Sequence, residues 1–346
     1  MTTFLTGVPT ALWSRSRRFL PVLGLSIVLY AVLALTQPGF DSTANLKNLL
    51  TAVSVLFITA IGMTFVVVTA GADLSVAAIG SLAGIFFAKI VAAGVPGWPA
   101  VLVTLLFGTL VGAVVNGVFV GLFGLSFFVV TLASMTALTG VVNLWSGTQS
   151  FVVDTPVATQ IGVDEYAGLP APIWIMIGIF LVALYVQRST FFGRDVYAVG
   201  GSLTAARLSG IRTTRTYVVV YGLSALCATI GGLVTIGRVG VAAPNVDATL
   251  PLSAIAAVLL GGTALSGGSG GVGGTVIGVL FIGILQNGLS IAGVPSFWQQ
   301  VVTGAILMLA VLGDRASVAR LCRALSSFSR QTETHPTATP TERSNA

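Results

Sequence analysis

The chain has 346 residues, of which 55% are hydrophobic and only 8% charged, with a mean hydropathy of +0.99. A soluble domain carries about 25% charged residues, so this composition excludes a water-facing surface over most of the molecule and calls for lipid as its solvent. The net charge of +6 comes from 16 basic and 10 acidic residues; the basic ones fall in short stretches without interleaved aromatics, which excludes a nucleic-acid face.

In chain order, Arg15, Arg17 and Arg18 precede an apolar run from Phe19 to Leu35. That run is longer than a signal-peptide core and no A-x-A site ends it, so it reads as an uncleaved first span. A helix needs about 20 apolar residues to cross a bilayer. That ruler predicts spans near 19–36, 49–69, 74–94, 99–121, 125–146, 171–187, 216–236, 252–266, 272–292 and 297–313. The expected fold class is an all-α, polytopic integral membrane protein with about ten transmembrane helices. The expected organisation is an N-terminal cytoplasmic tail at 1–18, a transmembrane domain at 19–313 with a cytoplasmic loop at 188–215, and a disordered cytoplasmic tail at 314–346.

Orientation follows from charge. With Arg15, Arg17 and Arg18 inside, an even number of spans also puts inside Arg188, Arg194, Arg207, Arg212 and Arg215 of the loop and Arg315, Arg320, Arg323, Arg330 and Arg343 of the tail. Thirteen of the 16 basic residues are then cytoplasmic, and both termini with them, as the positive-inside rule requires. The longest outer loop, Gly147–Pro170, carries Asp154, Asp164 and Glu165 and no basic residue. Lys89 is expected to snorkel to the outer interface, and Arg238 to sit in an outer loop.

Ten spans divide into five plus five of opposite orientation, an inverted repeat of the kind common in transporters. A faint echo supports it: Asp73-Leu-Ser-Val-Ala-Ala-Ile against Asp247…Ser253-Ala-Ile-Ala-Ala. The 42 glycines let membrane helices pack closely. Gly231-Gly232, Gly261-Gly262 and the run 267–274 exceed that need, and they suggest close crossings or broken helices beside a cavity.

Asp73 is the ionisable residue nearest the apolar runs. Two readings stand: with Ser75 it caps the next helix, or it lies in a re-entrant segment and faces a translocation path. Asn116 and Asn287 are amides inside spans, suited either to lining a path for a hydroxylated solute or to interhelical hydrogen bonding. Cys227 and Cys322 have no C-x-x-C spacing, and the only histidine, His335, lies in the polar stretch Gln331–Ala346. No metal site and no catalytic residue is therefore expected. A phosphate-binding G-x-x-x-x-G-K-[ST] loop is also absent, since neither Lys47 nor Lys89 follows a glycine. This chain is expected to bind no cofactor; if transport is ATP-driven, ATP and Mg belong to a partner.

Three stretches carry a resemblance. They are Val55-Leu-Phe-Ile-Thr-Ala-Ile-Gly-Met-Thr-Phe-Val66 with Gly71-Ala-Asp-Leu-Ser-Val76; Gly193-Arg-Asp-Val-Tyr-Ala-Val-Gly-Gly-Ser-Leu-Thr-Ala-Ala-Arg-Leu-Ser-Gly-Ile211; and Ala254-Ile-Ala-Ala-Val-Leu-Leu-Gly-Gly-Thr-Ala-Leu-Ser-Gly-Gly268, followed by Gly274–Gly278 and Gln286–Leu289. In order and spacing, across roughly 45–313, they resemble the ribose-type permease family of ABC importers, which serves ribose, xylose, galactose and related substrates. From residues alone, Leu203–Ser209 is predicted as about two helical turns with Ser202 as N-cap and Gly210 as C-cap. That could equally be a topology-setting loop without a partner. The resemblance implies that it is the segment docking on an ATPase subunit, through Gly193, Arg194, Gly200, Gly201, Ala205, Ala206, Arg207, Leu208, Ser209, Gly210 and Ile211, with Arg194 and Arg207 as the charges in the contact.

The resemblance further implies a homodimer, or a heterodimer with a similar permease, in the bacterial cytoplasmic membrane. Its path would lie between the copies, with ABC ATPase subunits below and an extracytoplasmic sugar-binding protein above. The competing reading is an ion-coupled secondary transporter of a small polar solute, for which Asp73 is the one candidate carboxylate. A membrane enzyme would need clustered His, Asp, Glu or Cys, which the sequence does not offer.

Overall fold

A computed structural model describes residues 20–313. The expectations for the basic N-terminal segment and for the tail 314–346 lie outside the described residues. The described chain is α-helical: α1 Leu20–Thr36, α2 Thr43–Val68, α3 Val76–Ala92, α4 Gly97–Gly121, α5 Phe127–Ser146, α6 Pro156–Gly162, α7 Ala171–Ser189, α8 Phe191–Gly201, α9 Leu203–Leu208, α10 Thr213–Val239, α11 Thr249–Leu260, α12 Val272–Ile291 and α13 Ser296–Gly313. Four two-residue strands join them. β1 Phe151–Val152 pairs antiparallel with β4 Val241–Ala242, and β2 Glu165–Tyr166 with β3 Leu169–Pro170.

Every predicted apolar span coincides with a helix. Six of them (α2, α4, α5, α7, α10 and α12) are long and apolar enough to cross a membrane, and α1, α3, α11 and α13 are shorter. Rows of exposed apolar side chains, such as Leu102, Leu106 and Leu110 on α4 or Leu181, Val182 and Tyr185 on α7, make an exterior that water would not tolerate and lipid does. This is a polytopic membrane protein.

Three differences from the sequence reading have local causes. The segment at Phe191–Gly201, for which the sequence reading named no helix, is helical, and the Thr190 side chain caps it by accepting from Gly193 N at 3.1 Å. The eighth apolar stretch stops as helix at Leu260 rather than 266, where Gly262 turns to φ +82°. Arg238, expected in a loop, is in the last turn of α10.

The core is organised around α10, which packs against α2, α3, α4 and α6. At its crossing with α3 the two backbones touch, since a Cβ on Gly232 would stand 2.5 Å from the Gly80 carbonyl oxygen. Only glycine at 232 permits that approach, and a Cβ on Gly80 would stand 3.0 Å from the Ala228 carbonyl oxygen. The second half closes on the first through α11 and α12, which pack on each other and on α2, while α5 lies on α3, α1 on α12 and α13 on α11.

The helix ends define two ends of the molecule. The β end carries the β1–β4 pair, α6 and the Lys47–Glu165 ion pair at 3.2 Å. Lys89 is also there, its ammonium 5.1 Å from the Phe151 ring centre, so its charge meets an aromatic face. The opposite end carries α8, α9 and the glycine-rich turn 262–271.

Candidate functional site

Three features meet along α10: a buried polar knot, a cavity on its β-end side, and a braced pair of short helices at the opposite end.

The knot arises where α2 stops. After Val68 the chain reverses through Ala70, at φ +61°, and Gly71 N donates back to Val66 O at 3.0 Å. The segment then runs back beside α2, so that Asp73 N reaches Met63 Sδ at 3.4 Å. Asp73 thus re-enters the protein and also precedes a helix, and its Oδ1 accepts from Ser75 N at 3.0 Å and from Ser75 Oγ at 2.6 Å. Two further donors come from distant helices. Asn116 Nδ2 reaches Ser75 Oγ at 2.7 Å and Asp73 Oδ1 at 3.3 Å, and Ser224 Oγ donates to Asp73 Oδ2 at 2.9 Å. Asn116 lies on a π-helical stretch of α4, Gly112–Val118; the wider turn is a frequent feature of functional positions. Asp73, Ser75 and Asn116 are all 0% exposed. The fourth sequence candidate, Asn287, lies apart. It exchanges amide hydrogen bonds with Asn45 at 3.0 and 3.1 Å, joining α12 to α2.

The cavity begins directly above the knot, since Val76 and Ala77, the residues after Ser75, form part of its wall. It has a volume of about 470 Å³ and runs between α2, α3 and α10 to the turn between β4 and α11. Its inner wall is small, made by Ala77, Gly80, Gly84, Ala228, Gly231 and Gly232, and its polar groups are Thr59, Ser81, Thr235, Arg238, Asn245 and Asp247. None of Asp73, Ser75, Asn116 and Asn287 is on this wall. Sequence reasoning missed the polar rim because it is assembled from four separate stretches. The glycine pair at 231–232, the Asp247 echo and the outer-loop charge Arg238 were its only traces.

At the opposite end, Gly200 of α8 sits against the Val68 carbonyl so closely that no Cβ fits, and Gly268 N donates to the same carbonyl at 2.9 Å. Gln187 Nε2 bonds to Tyr197 Oη, Tyr197 Oη donates to Gly270 O at 2.6 Å, and Val272 N donates to Gln187 Oε1 at 3.1 Å. Gln187 and Tyr197, which the sequence did not single out, therefore tie α7 and α8 to the start of α12. Gly200 and Gly201 are the last residues of α8, and α9 follows with Ser202 as N-cap accepting from Ala205 N at 3.3 Å. Gly210 follows the α9 C-cap Ser209 at φ +80°. Arg207 Nε is held by Thr213 Oγ1 at 3.3 Å and Arg194 covers the Phe191 ring at 4.3 Å, so both charges have intramolecular contacts. Ala206 is the buried anchor, Gly193 is buried in α8, and Ala205, Leu208 and Ser209 face outward, with Leu208 85% exposed. Ile211 closes the turn, its N–H donating to Ala206 O at 3.1 Å.

Comparison with known proteins gives consistent matches. A family described as "branched-chain amino acid transport system / permease component" matches residues 45–311. The chain is 38% identical to the ribose import permease protein RbsC of Haemophilus influenzae over 292 residues, covering 83% of this chain and 90% of the relative. It is 39% identical to RbsC of Escherichia coli K12, covering 83% and 91%. It is 33% identical to the xylose transport system permease protein XylH of Escherichia coli K12 over 350 residues, covering 82% and 88%. No solved structure gives a significant match.

Proposed function

The chain belongs to this family of transport-system permease components, and from that premise we propose that it is the membrane subunit of an ATP-binding-cassette importer for a sugar or related polyol. The observation that carries the reading is the similarity to the ribose and xylose permeases over more than four-fifths of the chain. The β end then faces outward, toward a sugar-binding protein, and the α8–α9 end faces the cytoplasm of a bacterial cell. ATP and Mg are bound by a partner ATPase.

We read α9 as the docking element. It is short, capped at both ends and anchored through Ala206, and it presents Leu208 to solvent. A two-turn helix is unstable alone, so its rigidity comes from the α8 brace. Movement of α9 reaches α2 through Gly200 and Val68, and α12 through Tyr197 and Gly270.

We also read the fold as ten crossings in a five-plus-five inverted repeat. Three contacts support this. α2 packs on α11 and α12 of the other half, while α10 packs on α3 and α4. Within each half, α3 contacts α4 and α5, as α11 contacts α12 and α13. Both short third helices are entered by the same turn. Asp73 accepts from Ser75 N and Oγ, and Asp247 accepts from Thr249 N and Oγ1 at 2.8 and 2.6 Å. Assembly as a dimer is part of the same proposal.

The ion-coupled reading rests on Asp73, a carboxyl at membrane depth, where such groups are commonly functional. Its donors Ser75, Asn116 and Ser224 satisfy both oxygens, which favours a structural role.

The test is purification from native membranes in mild detergent beside a Leu208→Glu variant. A Walker-motif ATPase that accompanies the wild type and is lost from an equally stable variant supports both the importer and the role of α9. Absence of any ATPase with the wild type overturns the importer.

A further inference from the structure

We infer that Gln187 and Tyr197 are positioning residues that make α12 follow the α8–α9 end, so that movement driven by the ATPase reaches the second half of the permease. The inference rests on the importer reading, with α9 as its docking element, and adds the joint through which the load passes.

α8 meets its neighbours along one stripe. Gly193, Tyr197 and Gly200 are spaced by four and three residues, which places them on one helix face. Gly193 abuts the Val186 and Gln187 carbonyls of α7, and Gly200 abuts the Val68 carbonyl at the end of α2. Both are backbone contacts with no side chain between. Phe192 also stacks with Phe65 of α2, at 6.3 Å between ring centres. Close-packed contacts of this kind transmit displacement, so α8 moves with the ends of α7 and α2.

The joint to α12 differs in kind. The turn before α12 is pinned to α2 at Gly268, whose N–H donates to Val68 O at 2.9 Å. Between that pin and Val272 lie Ser269, Gly270 and Gly271. Glycine gives such a stretch little stiffness of its own, and Gly270 stands at φ +108°, where other residues rarely go. Gly271 N donates within the turn, to Thr263 Oγ1 at 3.2 Å, which ties it toward α11 and not toward α8. Load applied at Gly268 is absorbed in this slack.

The side-chain pair spans it. Tyr197 Oη donates to Gly270 O at 2.6 Å, and Gln187 Oε1 accepts from Val272 N at 3.1 Å. Gln187 Nε2 bonds to Tyr197 Oη and joins the two grips. An amide and a phenol each donate and accept, so both residues hold two partners at once. Gln187 also caps α12 from outside. The N-cap of α12 is Gly271, which has no side chain, and the amide from α7 takes the first helical N–H in its place. Phenylalanine at 197 would keep the ring and lose both bonds. Gly270 is exposed, so water replaces the lost donor and the fold is kept. The rigid link is what disappears.

The experiment uses the complete transporter, with its ATPase and sugar-binding protein, in proteoliposomes with ribose and xylose as probes. Uptake and ATP hydrolysis are measured together for the wild type, Tyr197→Phe, Gln187→Met and the double variant. Tyr197→Phe should keep its ATPase, its melting temperature and a hydrolysis rate within about 2-fold of the wild type. Sugar imported per ATP should fall roughly 5-fold or more, within the range by which single residues alter coupling. Gln187→Met should fall likewise, and the double variant should be no worse than the worse single one, because both changes break one joint. An unchanged sugar-to-ATP ratio in both single variants overturns the inference. So does a parallel fall of uptake and hydrolysis, which is what a merely structural brace would give. Should Tyr197→Phe fail to assemble, Gln187→Met decides by the same ratio. A wild type that brings no ATPase is a separate failure, seen before any variant is compared, and it overturns the importer reading and this inference with it.

Discussion

Replacing Asp73 by alanine removes the acceptor of four hydrogen bonds, but the four donors do not lose equally. Asn116 Nδ2 keeps Ser75 Oγ at 2.7 Å, and the hydroxyls of Ser75 and Ser224 can rotate toward other acceptors. Ser75 N, donating to Asp73 Oδ1 at 3.0 Å, is fixed by the backbone and becomes a buried orphan, at a cost of about 1–3 kcal/mol. The void left by the carboxyl adds about 1 kcal/mol. Asp73→Ala should therefore lose about 2–4 kcal/mol, and the detergent-solubilised protein should melt roughly 5–10 °C lower. Asp73→Asn keeps an acceptor oxygen for Ser75 N, and its new amide can donate to Ser224 Oγ. It should stay within about 1 kcal/mol of the wild type and retain uptake. The assays are thermal unfolding by intrinsic fluorescence and sugar uptake in proteoliposomes. If Asp73→Asn melts like the wild type and yet abolishes uptake, the knot is not merely structural, and ion-coupled transport through Asp73 replaces the importer.

At the α3–α10 crossing, Gly232→Leu should drive the helices apart and cost about 1–3 kcal/mol or more, seen as loss of monodisperse protein. Gly140→Ala, where a Cβ meets nothing within 4 Å, should be neutral or stabilising by up to about 1 kcal/mol. Ser202→Ala removes the side chain that caps α9 and should destabilise that helix by about 0.5–2 kcal/mol, read as weaker ATPase binding with little change in melting temperature. Lys47→Ala breaks an ion pair whose side chains are 37% and 50% exposed; water screens such a pair, so the loss should stay below about 1 kcal/mol.

Whatever depends on short range or on lipid is legible in the sequence. A segment of about 20 apolar residues is driven into helix by the bilayer whatever its neighbours are, so all ten stretches were legible from Leu20 to Gly313. The α9 helix was legible too, because its Ser202 cap acts three residues away. Hydropathy does not say which polar residues inside a span will meet. Asp73 finds Asn116 43 residues later and Ser224 151 residues later, and those pairings enclose it in a buried polar knot that its local sequence did not foretell. The cavity is likewise tertiary. Thr59, Ser81, Arg238 and Asp247 converge on one cavity beside the crossing where glycine at 232 lets α3 and α10 touch. Charge and hydropathy place helices in a membrane; backbone contact between them decides where polar groups converge.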